Sequence, residues 1–158
     1  LVQFDRVLEK NDNNTAAFYW RADTRLNVGD HKGARQDYEN VLQRSPQHEA
    51  TLNNLAWLLA TSPENELRDG KRAVKLAVQA GKLSNYKKPH ILSTMAAAYA
   101  ESGDYLKAVE WSTKAVKMGR EDLQGQLEAE LKSYQGKKPW REKKELPEEK
   151  NSEASKTR

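Results

Sequence analysis

Three histidines, three Gly-Lys pairs and several neighbouring carboxylates are the residues of this 158-residue chain whose types could support chemistry. A divalent metal would need a second His or a Cys at ligand spacing. His31, His48 and His90 have no such neighbour, and the chain contains no cysteine, so no zinc or other metal site is expected and the three read as surface residues. A phosphate-wrapping loop needs a glycine five residues before its Gly-Lys and a Ser or Thr after it; the pairs at Gly70, Gly81 and Gly136 have neither. Glu121 with Asp122 and Glu148 with Glu149 are adjacent in sequence, which suits a solvated helix face or tail better than two carboxylates aimed at one point for acid–base work. Catalytic residues and cofactors are therefore not expected. The lack of cysteine removes disulfides and thiolate chemistry but leaves the compartment open, with the cytoplasm as the working assignment.

Composition points away from two further classes. Charged residues make up 32% and hydrophobic ones 37%, a polar balance that suits a thin stack of helices better than a deep core. The longest apolar stretch, Leu52 to Ala60, is broken by Asn53 and Asn54 and falls well short of a membrane span, so no membrane insertion is expected. The formal charge is +4, but residues 1–135 carry 19 basic and 18 acidic side chains while residues 136–158 carry 8 and 5. A balanced body has no clustered cations with which to displace counterions, so nucleic acid is not an expected partner. From Lys137 onward Lys, Glu, Pro and Ser alternate, the composition of a tail too polar to order itself beyond about Trp140. Lys137, Lys138, Trp140 and Arg141 form a short basic-aromatic run diluted by the glutamates that follow; Trp140 is expected to pack back on the preceding helix.

The elements that would position any site follow a period near 34 residues. Phe4 and Tyr38, Val7 and Val41, Asp12 and Pro46, and Ala22 and Ala56 are each 34 apart, and Ala73 with Ala108 and Ala80 with Ala115 repeat at 35. Inside a period the apolar residues recur three and four apart: Phe18, Ala22, Leu26, then Ala34, Tyr38, Val41, Leu42. That spacing predicts two amphipathic helices with a turn at Gly29 and Asp30.

These residues resemble the tetratricopeptide repeat, a helix-turn-helix unit with small residues at its eighth, twentieth and twenty-seventh places and a proline near its end. The resemblance implies an all-α fold, a right-handed superhelix of antiparallel helix pairs closed by a C-terminal capping helix. A first unit spans residues 15–48 with Phe18, Ala22, Gly29, Ala34, Tyr38 and Pro46 in register, Val41 replacing the usual alanine. A second spans 49–88 on Leu52, Leu55, Ala56, Leu59, Ala73 and Ala80, with an inserted loop at 62–70. There Ser62 and Asp69 read as helix N-caps and Pro63 as a first-turn residue. This inserted form looks like a variant associated with bacterial repeat proteins. A third spans 89–119 with Leu92, Met95, Ala96, Tyr99, Gly103, Ala108 and Ala115 in register. Residues 1–12 match the second half of a unit, and the chain begins at Leu1 without a leader, so it reads as a piece of a longer protein. Residues 121–135 are expected to form the capping helix, with Leu123, Leu127, Leu131 and Tyr134 as its apolar stripe and Glu128, Glu130 and Lys132 on its polar face; residues 136–158 form the tail.

The resemblance implies that the first helix of each unit lines a concave groove that holds a partner. Carried over, the peptide-binding places fall on Tyr19, Asp23 and Asn27, on Asn53, Asn54 and Trp57, and on His90, Thr94 and Glu101, with Trp20, Ser93 and Ala97 beside them. Asn54 stands where the family often uses an asparagine to hold extended backbone, since one amide both donates and accepts. Its other reading is a bridge between neighbouring helices. Trp57 is either groove wall or partly buried under the inserted loop. The Lys and Arg clamp that some members close on a carboxylate-rich tail is absent, because its places hold Tyr19, Asp23, Asn54, His90 and Thr94, so that only its asparagine is kept. The expected function is a non-catalytic scaffold or adaptor module that binds a protein or peptide of unknown identity. The alternatives are a regulatory appendage of a larger enzyme such as a kinase or transferase, or self-association as a homodimer through the uncovered apolar side of residues 1–10.

Overall fold

The structure, a computed structural model, describes residues 1–142; most of the tail expected to be unordered lies outside the described residues. Among the described residues are eight α-helices, one short 3-10 helix and no strand. They are α1 (Val2–Lys10), α2 (Thr15–Asn27), α3 (His31–Arg44), α4 (Glu49–Thr61), α5 (Gly70–Leu83), α6 (Pro89–Glu101), α7 (Tyr105–Met118) and α8 (Glu121–Gln135). None is long and apolar enough to cross a membrane.

Local chemistry explains where these helices begin. Asn14, Asp30, Asp69 and Asp104 each stand just before a helix and accept from the backbone N–H three residues on, satisfying one of the orphan donors of the first turn. Pro89 opens α6, where a missing N–H costs nothing. Gly29 and Gly103 end the first helices of two hairpins with φ of 80° and 88°, a left-handed turn that an L side chain resists. Consecutive helices pack as hairpins, α2 with α3, α4 with α5 and α6 with α7. The α6 helix also lies against both α4 and α5, α3 lies against α4, and α8 covers α7.

Close approach depends on small residues. Ala22, Ala34, Ala56, Ala73, Ala96 and Ala108 are fully buried, and Tyr38 and Leu55 fill the space between hairpins with no exposure of their own. One cluster runs from Ala22 to Tyr134, while Leu8, Ala17, Phe18 and Val41 form a smaller one under α1. The outer side of α1 leaves Leu1, Val2 and Val7 exposed.

Three local expectations are corrected. Ser62 does not start a helix; it ends α4, its hydroxyl accepts from the Glu64 N–H, and the 3-10 helix begins at Asn65, leaving Pro63 in the link. His31 is buried rather than at the surface, its Nδ1 3.3 Å from the Ser62 hydroxyl. Glu130 is fully buried, whereas Leu123 is 39% exposed: α8 turns Leu127, Glu130 and Tyr134 inward, so the buried face is rotated from the all-apolar stripe.

Candidate functional site

Residues on one face of α2, α4, α6 and α8, with Tyr38 of α3, line an open cavity of about 360 Å³. Asp23, Asn27, Asn53, Asn54, Trp57, His90 and Thr94 all line it, so seven of the nine peptide-binding places read from sequence meet here. Tyr19 stands behind the wall, its hydroxyl accepting from Asn54 Nδ2 at 3.4 Å and its ring against His48 and Tyr38. Glu101 lies elsewhere, at the end of α6, where Arg68 and Arg141 hold it at 3.1 and 2.6 Å. Of the neighbouring residues, Ser93 lines the cavity, Ala97 is buried in the main cluster and Trp20 is largely exposed.

The polar part of the wall is one connected chain. Tyr38 donates to Asp23 Oδ1 at 2.5 Å, Asn54 Nδ2 donates to the same oxygen at 3.2 Å, and Asn53 Nδ2 donates to Asn54 Oδ1 at 3.2 Å. Burial, and then the neighbouring Asp23 carboxylate, push the Tyr38 phenol far above its ordinary range, so it remains a donor. Asn54 thus joins α4 to α2 through Asp23, and beside it Asn53 Oδ1 is buried with no hydrogen-bond partner among the described residues. His90 is lowered, first by burial and then by the charge of Lys88, which favours its neutral form.

Sequence reasoning omitted the far wall. Leu123, Gln126 and Leu127 of α8 close the cavity opposite α2, because carrying over only first-helix places leaves a capping helix out. The leucine stripe was a visible signal, although it reads equally well as ordinary packing. Behind this wall Ser93 donates to Glu130 Oε2 at 2.6 Å and Gln126 to Glu130 Oε1 at 2.9 Å. Burial raises the Glu130 carboxyl above its usual range; the two donors only partly offset that.

After α8 the chain turns back over one end of the site. The Glu142 N–H donates to Thr61 O at 2.9 Å, Arg141 donates to Ala60 O at 3.2 Å, and Trp57 Nε1 donates to Glu142 Oε1 at 2.7 Å. Trp140 is half-buried against the main cluster. Trp57 is therefore touched by this returning strap, at the edge of a second, smaller cleft of about 220 Å³ that it shares with Asn27, His31 and Glu142. Among the described residues there is no group of three or more His, Cys, Asp or Glu that could hold a metal ion.

The family model described as Tetratricopeptide repeat matches residues 2–128. No curated protein matches the chain.

Proposed function

We propose, from the premise that this chain belongs to the tetratricopeptide repeat family, that the cavity between α2, α4, α6 and α8 holds a segment of a partner protein. Repeats of this family generally mediate protein–protein interaction and are typically non-catalytic. The observation that carries the finer reading is Asn53: a side-chain acceptor buried in the cavity wall without a partner is costly unless something supplies a donor. Apolar surface from Leu26, Trp57 and Leu127 beside it offers a partner side chain area to bury.

The test is selection from a displayed peptide library with the full chain, then binding to an Asn54→Ala/Trp57→Ala double variant and to a Lys75→Ala control on the exposed side of α5. Circular dichroism first verifies that all three are equally helical. Peptides held by the wild type and the control but lost by the double variant support the cavity. Peptides held equally by all three sink it.

The outer face of α1, with Val2 63% and Val7 39% exposed, favours a second reading, homodimerisation through that helix. Sedimentation equilibrium then shows a dimer that Val7→Asp dissociates; a wild-type chain monomeric at every concentration rules it out.

A further inference from the structure

The charges around the cavity are one-sided. Among the described residues its only charged lining residue is Asp23, and no lysine or arginine lines it. His90, the one other titratable group besides Tyr38 on the wall, favours its neutral form. One hydrogen bond behind the wall, Glu130 is fully buried with Ser93 and Gln126 as its donors and, among the described residues, no ion-pair partner. A positive charge arriving in the adjacent cavity would favour the ionised form of Asp23 and, behind the wall, of Glu130. Asn53, only 9% exposed, adds an acceptor with nothing donating to it.

Resting on the reading that the cavity holds a partner segment, we propose that it is selective for a basic side chain, a lysine ammonium or an arginine guanidinium donating to Asn53 Oδ1 and to the Asp23 carboxylate. The methylene stem of such a side chain lies against Leu26, Leu123 and Leu127, an arrangement that long cationic residues favour because stem and head are solvated differently. Asp23 is positioned for this by Tyr38 and Asn54, which both donate to its Oδ1, at 2.5 and 3.2 Å. An acidic ligand would face Asp23 with no cation on the wall to receive it.

Solution NMR of the uniformly 15N-labelled full chain tests this at constant ionic strength with three probes of similar size: n-butylguanidinium, n-butylammonium and the neutral n-butyramide. The two cations are expected to shift the Asn53 and Asn54 side-chain amide resonances saturably, and n-butyramide to leave them in place. Asp23→Asn is expected to weaken the cations about tenfold or more, the scale of one charged hydrogen bond, while Glu128→Gln on the exposed face of α8 leaves them unchanged. Should Asp23→Asn fail to fold, Asn53→Ala removes the other acceptor and carries the same expectation. Equal shifts from n-butyramide, no saturable shift, or undiminished cation binding in a folded variant overturns the proposal. A library-selected peptide that needs the intact cavity but tolerates norleucine at every basic position overturns it too, while leaving the partner-segment reading in place.

Discussion

The two joints between successive hairpins are built differently. Where α2 and α3 meet α4 and α5, much of the contact is polar: Asn54 reaches Asp23 at 3.2 Å, Arg72 reaches Glu39 at 2.6 Å, Gln79 donates to Pro46 O at 3.1 Å, and His31 meets Ser62 at 3.3 Å. Where α4 and α5 meet α6, the surfaces are apolar and close. Leu52, Ala80 and Ile91 form a buried cluster, and a Cβ added at Gly70 would stand 2.6 Å from Ser102 N and 2.7 Å from Glu101 C. The cavity spans both joints, with α2 and α4 on one side and α6 and α8 on the other, and its hydrogen-bonded chain sits on the polar side. Groups that must keep hydrogen bonds pack less closely than alanine and glycine do.

The comparison can be broken most forcefully at its tight side. Gly70→Ala is expected to cost about 2 kcal/mol, because backbone rather than a movable side-chain end must give way, and its cost should be the same at low and high salt. Urea denaturation at two ionic strengths reads both numbers; a loss below about 0.5 kcal/mol would mean the joint is looser than drawn. On the polar side, Arg72→Gln is expected to cost less, about 0.5 kcal/mol, since both partners are about a third exposed. This cost should shrink with salt.

It should also depend on pH. Burial pushes Glu39 upward, but its bonds to Arg72 and Arg35 outweigh that and leave it lowered. A lowered carboxyl stabilises the fold above the ordinary glutamate range and loses that contribution as pH falls through its folded-state value. The Arg72→Gln and wild-type stability curves should therefore converge on acidification, and a gap that persists in acid would place the effect in packing instead.

Most of the fold was legible because its signals are periodic. Alanines 34 or 35 residues apart, with a turn at Gly29 and Asp30 and an N-cap at Asp69, favour helices, and they led to an all-helical repeat. The site was less legible. Position along a repeat predicts that Asp23, Asn54 and Thr94 share a face, but it cannot show that Tyr38, read as an apolar residue in register, also donates to Asp23. Nor can it show that Glu101 is taken by two arginines from the inserted loop and the tail. The 3.6-residue stripe of α8 misplaced Glu130 because a carboxyl bonded to Ser93 and Gln126 can be buried where hydropathy predicts exposure. These three misses are polar contacts that no repeat position encodes, and such contacts leave no period in the sequence.

The strap that ends at Glu142 bears on how the molecule comes apart. A stack whose helices touch only their neighbours can fray from either end, one unit at a time. The bond from Trp57 to Glu142 joins positions 85 apart, tying the last described residue to the middle of the stack. Opening the C-terminal end alone would break that tie and those of Arg141 to α4 and α6, so loss of α8 is coupled to α4 instead of being a local event. The strap works against end-fraying and makes unfolding of the C-terminal hairpin and α8 more nearly all-or-none.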